Sequence, residues 1–79
     1  MLKIILADGA EFQGANAAEI VIQLKLDDWT AHMTTKQYKN NMKHRVKNFY
    51  GVEISYSNDE EFLQELQRIS FIRFIVRNA

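Results

Sequence analysis

The sequence predicts a small α+β domain, with one mixed or antiparallel sheet and three helices on one face, in the order β-β-α-α-β-α-β. Three observations predict this class. Apolar residues crowd both ends of the chain in runs typical of strands, three internal stretches carry apolar residues at helical spacing, and few residues connect one stretch to the next. A chain of 79 residues suits a single domain with a modest core, and we assign residues 1–79 to it.

The first two strands are predicted to form a hairpin. Residues 2–6 are mostly apolar, and the Asp8 and Gly9 pair that follows suits a type I′ turn. The second strand would cover residues 10–13, with Phe12 pointing inward.

A first helix is predicted after the hairpin. Asn16 has Glu19 three residues further on, which is the spacing of a helix N-terminal cap, and the helix is expected to end near Leu26. Its apolar stripe consists of Ile20, Val21 and Leu24. Residues 27–33 have no clear period, so they are predicted to form a connecting loop in which Trp29 lies either in the core or on the surface.

The second helix is predicted to be the longest element. Thr34 and Gln37 have the spacing of a capping box, and Gly51 stands where a helix ends in the left-handed conformation. The stripe expected to be buried consists of Tyr38, Met42, Val46 and Phe49.

One flank of the same helix carries a basic ridge. The ridge consists of Lys36, Lys39, Lys43 and Lys47, with His44 toward the solvent. Such a ridge can be an ordinary solvated surface, can follow a nucleic-acid phosphate backbone, or can contact an acidic protein surface, including that of a second copy. All three interpretations are open at this point.

A third strand and a third helix follow. Residues 52–56 alternate apolar and polar with a strict two-residue period and predict the strand. Ser57 and Glu60 have the spacing of a capping box, so Ser57 is the predicted cap of the helix. The apolar stripe of this helix consists of Phe62, Leu63, Leu66 and Ile69.

The last predicted strand, residues 71–77, is apolar on both faces apart from two arginines. A thin sheet with helices on one face leaves its other face uncovered, so we expect a two-fold homodimer in which this strand takes part. By simple alternation, the residues expected at the interface are Phe71, Arg73, Ile75 and Arg77.

Composition argues against several classes of protein. Ten basic and ten acidic residues cancel, whereas a dedicated nucleic-acid-binding domain is usually strongly basic. The absence of cysteine rules out a disulfide framework, and no apolar run approaches the ~20 residues of a membrane span. We therefore expect a cytoplasmic protein that makes no contact with a membrane.

No catalytic arrangement is predicted. The two histidines are His32 in the loop and His44 on the second helix, and no serine is placed to pair with either. Asp27, Asp28 and His32 could ligate a divalent ion, but the loop lacks the spacing of a calcium site. We expect no enzyme activity, no metal and no cofactor.

Short pieces along most of the chain resemble a group of small, uncharacterised bacterial proteins carried by plasmids and prophages. These pieces are Asp8 with Gly9, Phe12, Gly14, residues 19–21, the basic helix with Tyr38, residues 51–54 and residues 61–63. The apolar tail, residues 71–76, departs from the group, and the group has no assigned activity. The resemblance therefore implies a mobile genetic element as the setting and implies no chemistry.

Together these observations favour a non-catalytic protein-binding module. The sharpest form of this hypothesis is an accessory or inhibitory protein that occludes a surface of host nucleic-acid or defence machinery, as anti-CRISPR proteins do. The alternative is a direct nucleic-acid-binding protein that uses the basic helix, residues 35–50.

Overall fold

The structure is a computed structural model that describes residues 1–27 and 30–77. Its elements are β1 (Leu2–Leu6), β2 (Glu11–Gly14), α1 (Ala17–Asp27), α2 (Thr35–Tyr50), α3 (Asp59–Arg68) and β3 (Ile72–Arg77). The strands pair antiparallel in the order β2-β1-β3. The predicted α+β class, with a small antiparallel sheet and three helices, is confirmed, while Trp29 lies outside the described residues.

The hairpin is confirmed, but its turn is not of type I′. That type needs a positive φ at both central residues, and Gly9 has one (94°) while Asp8 does not. The Gly9 N–H donates to the Leu6 carbonyl at 2.9 Å, and the Leu6 N–H donates to the Ala10 carbonyl at 2.8 Å. The connection is therefore a three-residue loop with Gly9 in the left-handed position.

A bulge in β3 decides which of its side chains face the helices. Ile5 pairs with Phe74, but the next residue, Leu6, pairs with Ile72, so Arg73 is an extra residue with no opposite partner. Simple alternation along residues 71–77 therefore fails, because one residue is added between the two halves of the strand.

The helices α1 and α3 pack directly on one face of the sheet, and α2 packs against α1. The side chains that this covered face contributes to the core are Leu2, Ile4, Ile72 and, partly buried, Ile75. The opposite side is called the open face below, and it carries the apolar side chains Ile5, Phe74 and Val76.

The predicted ends of α2 are confirmed. The Gln37 N–H donates to Thr34 Oγ1 at 3.1 Å, and the Thr34 N–H donates to Gln37 Oε1 at 3.0 Å. Gly51 ends the helix with a φ of 68°. The predicted cap of α1 is also present, since the Glu19 N–H donates to Asn16 Oδ1 at 3.1 Å.

The buried stripe of α2 is shorter than predicted. Tyr38, Met42 and Val46 are buried, but Phe49 is 82% exposed. All residues from 47 to 51 are exposed, so the last turn of α2 projects beyond the core. Phe49 continues the stripe along the helix, but its side chain stays exposed beside a hollow that Phe71 also lines.

The helix α3 begins one residue later than predicted. Its cap is Asn58, whose Oδ1 accepts from the Glu61 N–H at 2.8 Å, while Ser57 only donates its N–H to Glu61 Oε1. Two capping patterns overlap here, because Ser57 and Asn58 each have a glutamate three residues later. Glu60, the predicted partner of Ser57, instead pairs with Arg77 of β3, and this long-range contact favours the second pattern.

Residues 52–56 alternate between buried and exposed side chains, as predicted, and they stand at the predicted place in the order of elements. They do not pair with a strand of the sheet. Ile54 is 1% exposed, whereas Glu53 and Ser55 on either side are exposed. The described sheet contains β2, β1 and β3 only, so residues 52–56, predicted to form a strand, do not join it. The segment lies beside α3 instead, as described below.

Candidate functional site

The basic ridge of α2 lies next to residues 52–57, called the extended segment below, and to the start of α3. Lys39 Nζ lies 2.7 Å from Asp59 Oδ1 and 5.6 Å from the centre of the Tyr56 ring. Only 18% of the Lys39 side chain and 26% of the Asp59 side chain are exposed. Lys39 therefore ties α2 to the first turn of α3 and is not available to an external partner.

Lys47 is paired at the other end of the ridge. Its Nζ lies 2.8 Å from Glu53 Oε1, and both side chains are well exposed. The hydrogen bond from Lys47, aided by its charge, lowers the pKa of Glu53 and in turn raises the pKa of Lys47. An exposed pair of this kind adds little stability, but it places a carboxylate beside the ridge.

Lys36 and Lys43 are the unpaired part of the ridge. Both side chains are exposed, and neither makes an ion pair or hydrogen bond within the described part of the chain. His44 is also exposed and lies with Lys43 and Glu53 around a shallow hollow. Of the five residues predicted to bind a partner, the structure leaves these three side chains accessible and unpaired.

Side chains of α3 hold the backbone of the extended segment. The N–H groups of Ser55 and Ser57 donate to carboxylates of the helix, and the carbonyl of Glu53 accepts from a guanidinium. The bonds run from Ser55 N–H to Glu65 Oε1 at 3.1 Å, from Ser57 N–H to Glu61 Oε1 at 2.8 Å, and from Arg68 Nη2 to the Glu53 carbonyl at 3.2 Å. Helix side chains thus do for this segment what a neighbouring strand does in a sheet.

Glu65 is the centre of this attachment. Its hydrogen bond with Arg68 and then the N–H of Ser55 lower the pKa of Glu65. The Arg68 Nε lies 2.8 Å from Glu65 Oε2. An ionised carboxylate is the stronger acceptor, so the attachment is tightest when Glu65 is charged.

The aromatic end of α2, Phe49 and Tyr50, is a second candidate contact surface. Phe49 is 82% and Tyr50 49% exposed, and a shallow hollow beside them is lined by Met42, Val46 and Phe71, among others. Exposed aromatic side chains around a hollow are typical of protein-binding sites. Helical periodicity places Phe49 in the core, and this prediction is wrong. The sequence signal against it is Gly51, which ends the helix two residues later and so puts Phe49 in the last turn.

The four residues predicted at a dimer interface do not form one exposed surface. Phe71 and Ile75 pack against the core, and Arg77 pairs with Glu60 of α3. Arg73 is exposed, and its guanidinium lies 5.9 Å from the centre of the Phe74 ring on the open face. The exposed apolar side chains of β3 are Phe74 and Val76.

Within residues 1–27 and 30–77, no group of three or more His, Cys, Asp or Glu side chains is arranged to hold a metal ion. Of the three loop residues considered as ligands, Asp28 lies outside this range. None of the described helices has both the length and the apolar character needed to cross a membrane. No protein-family model, curated protein or solved structure matches the chain.

Proposed function

We propose that this chain is a non-catalytic protein-binding module that acts by covering a surface of its partner. The observation that carries the proposal is the aromatic end of α2, where Phe49 is 82% exposed beside the half-exposed Tyr50. Burying a phenylalanine side chain is worth roughly 1.5–3 kcal/mol. A partner that covers this end of the helix gains that contribution, and aromatic residues are enriched among those that dominate binding.

The charges along α2 also favour a protein partner over a nucleic acid. Lys39 and Lys47 each have a carboxylate within 2.8 Å, from Asp59 and Glu53 respectively. Carboxylates beside the ridge repel a phosphate backbone, whereas mixed charges are ordinary around the rim of a protein interface.

The proposed partner is a component of host nucleic-acid or defence machinery, and the proposed effect is inhibition by occlusion, as for anti-CRISPR proteins. The small size of the chain and its likeness to proteins of plasmids and prophages support this choice. A cytoplasmic location belongs to the same proposal, because such machinery works there and the chain uses no cysteine.

Affinity capture from a host lysate, with wild-type protein and Phe49→Asp compared, tests the proposal. Since Phe49 is exposed, the variant should keep its fold and melting temperature but lose the partner. Leu26→Asp is the matched control, because Leu26 is a 58% exposed apolar residue in the last turn of α1. Equal capture by the wild type and Phe49→Asp would show that the aromatic end is not the contact.

A direct nucleic-acid-binding protein is the second candidate, because Lys36 and Lys43 are exposed and unpaired within the described residues. Binding of DNA or RNA that falls steeply with salt and is lost in Lys36→Glu and Lys43→Glu would support this function. No binding at low salt would exclude it.

The open face supports a second copy of the chain as a further protein partner. Phe74 is 53% and Val76 38% exposed there, and burial of apolar surface is worth about 25 cal/mol per Å². Sedimentation at micromolar concentration should show a dimer that Phe74→Glu converts to monomer. A wild-type protein that sediments only as a monomer would exclude self-association.

A further inference from the structure

The two outer edges of the sheet differ in how they are covered. At the β2 edge, side chains of α1 bond the backbone, because Gln23 Nε2 donates to the Gln13 carbonyl at 2.6 Å and Glu19 Oε1 accepts from the Ala15 N–H at 3.1 Å. At the other edge, among the described residues, the strand β1 alone forms hydrogen bonds with the backbone of residues 72–77. The outer edge of β3 is therefore open to a further strand.

The hairpin shows which way the backbone groups of β1 point. The Leu6 N–H donates to the Ala10 carbonyl on the β2 side, and the Ala7 N–H donates to the Phe71 carbonyl on the β3 side at 3.1 Å. Backbone groups of successive residues in a strand point to opposite sides. The odd-numbered residues of β1 therefore direct their N–H and C=O groups toward β3.

The residues of β3 opposite these groups are the ones bonded to β1. Lys3 pairs with Val76 and Ile5 pairs with Phe74, so Phe74 and Val76 use their backbone N–H and C=O groups within the sheet. Ile75 lies between them in the strand. Its N–H and C=O groups therefore point away from β1, toward the outer side of the edge.

The part of β3 that follows the bulge is accessible from this outer side. Phe74 is 53% and Val76 38% exposed, Arg77 is exposed, and Ile75 is only partly buried. The ion pair of Arg77 with Glu60 does not cover the edge, because Glu60 belongs to α3, which packs on the covered face. A further strand can therefore reach the outward groups of Ile75.

This short edge is complementary to a second copy of itself. When two β3 strands run antiparallel about a two-fold axis at Ile75, the Ile75 residues of the two copies lie opposite each other, and their outward groups form two hydrogen bonds. Phe74 then lies opposite Val76 of the other copy, and by symmetry this pair occurs twice. Both side chains lie on the open face, and an aromatic ring beside a β-branched side chain is a favourable cross-strand pair.

The arginines of the two copies stay apart in this arrangement. The same axis places Arg73 opposite Arg77 of the other copy, and like charges directly opposite each other destabilise a sheet. The Arg73 guanidinium, however, lies beside the Phe74 ring on the open face. The Arg77 guanidinium is paired with Glu60 on the covered side. The two positive charges therefore lie on opposite faces of the joined sheet, and one of them is neutralised.

We propose that two copies of this chain join at their β3 edges, antiparallel about a two-fold axis at Ile75, to form one sheet that contains the three strands of each copy. The two Ile75 residues exchange backbone hydrogen bonds, and Phe74 packs beside Val76 of the other copy on either side of the axis. This inference rests on the self-association proposed above and specifies its contact, which is the strand edge rather than a stacking of two open faces.

Amide hydrogen exchange at low and high protein concentration tests the pairing. The Ile75 N–H is free in one copy and bonded in the pair, so its exchange should slow about tenfold where sedimentation shows a dimer. Glu11 is the matched control, because it lies opposite Ile5 and directs its N–H to the other outer edge, so its exchange should not change. A dimer in which Ile75 exchanges as fast as in the monomer would overturn the edge contact but not self-association. A chain that stays monomeric at every concentration would overturn both.

Two lysine substitutions on the open face separate edge pairing from face-to-face stacking. Val76 lies at the proposed contact, whereas Ile5 lies one strand further away, at about 4.8 Å. Val76→Lys should weaken dimerisation about tenfold, because both copies carry the change and lysine at an edge opposes strand pairing. Ile5→Lys, checked for its fold by circular dichroism, should leave dimerisation within about twofold of wild type. Equal losses in the two variants would assign the contact to stacked open faces and overturn the edge.

Phe49→Asp separates this contact from the aromatic end of α2. The variant should dimerise as the wild type does in sedimentation, because Phe49 lies in the last turn of α2 and outside the paired strands. Loss of the dimer in Phe49→Asp would assign self-association to the aromatic end and overturn the edge contact.

Discussion

The helix α2 and the extended segment lie side by side but satisfy their backbones in opposite ways. The bonds of α2 are local, and its caps, Thr34 and Gly51, belong to the same stretch of sequence. The extended segment depends on side chains of α3, which follow it in the chain, and leaves every second backbone unit unpaired within the described structure. The ends of α2 are therefore set by residues of its own stretch of sequence, whereas the segment takes its shape from docking on α3.

The largest expected effect concerns the buried face of α2. Met42 is 3% exposed, so Met42→Asp buries an unpaired carboxylate and should cost several kcal/mol. A small domain has a total stability of about 5 kcal/mol, so we expect circular dichroism to show an unfolded chain. Phe49→Asp, on the exposed last turn of the same helix, should stay within about 0.5 kcal/mol of wild type. A folded Met42→Asp variant with an unchanged melting temperature would contradict the assignment of this face.

The second effect concerns Gly51, the junction between the two regions. Its φ is 68°, and a Cβ added there meets no atom within 4 Å. Gly51→Ala should therefore destabilise the protein through backbone conformation alone, by about 1–2 kcal/mol in urea denaturation. Gly51→Asn should cost less, because asparagine tolerates the left-handed region. Equal losses in the two variants would mean that conformation is not the cause.

The third effect tests where α3 begins. Asn58→Ala removes the side-chain oxygen that accepts from the Glu61 N–H at 2.8 Å and should cost about 1 kcal/mol. Ser57→Ala should cost almost nothing, because Ser57 contributes only its backbone N–H. Thermal unfolding of the two variants decides between the overlapping caps, and a larger loss in Ser57→Ala would move the cap back by one residue.

The features that could be predicted from the sequence depend on neighbours within four residues. The capping box at Thr34, the glycine stop at Gly51 and the buried positions Met42 and Val46 follow from such local rules. The position of Phe49 does not, because its exposure depends on where the rest of the core ends. Helical periodicity gives the angle around an axis and says nothing about the extent of the surface that the helix packs on.

Strands are harder to predict because their partners are distant in sequence. The two-residue period of residues 52–56 correctly indicates alternating burial, but α3 side chains bond this segment in place of a strand. The extra residue at Arg73 is set by the pairing of β3 with β1, and nothing within residues 71–77 reveals it. The same limit applies to the candidate site. The sequence predicts the ridge lysines, but it does not predict the acids that pair with Lys39 and Lys47, because those acids lie in later parts of the chain.

The smallest effect is a change in the pH dependence of stability. The folded structure lowers the pKa of Glu65 below its usual value of about 4.5, mainly through Arg68 and then through the N–H of Ser55. On acidification the unfolded chain therefore takes up the proton first, so the stability that Glu65 contributes is present above pH ~4.5 and is lost as the pH falls through the folded pKa.

Glu65→Gln should remove this contribution at every pH, so the wild type should be the more stable protein at neutral pH and the two should converge in acid. Urea denaturation between neutral pH and pH 3 measures the difference. The amide of Ser55 should also exchange faster in the variant, while that of Ser57, which Glu61 holds, serves as the internal control. A stability difference that persists in acid, or equal acceleration at both serines, would show that Glu65 acts through packing rather than as the charged anchor of the extended segment.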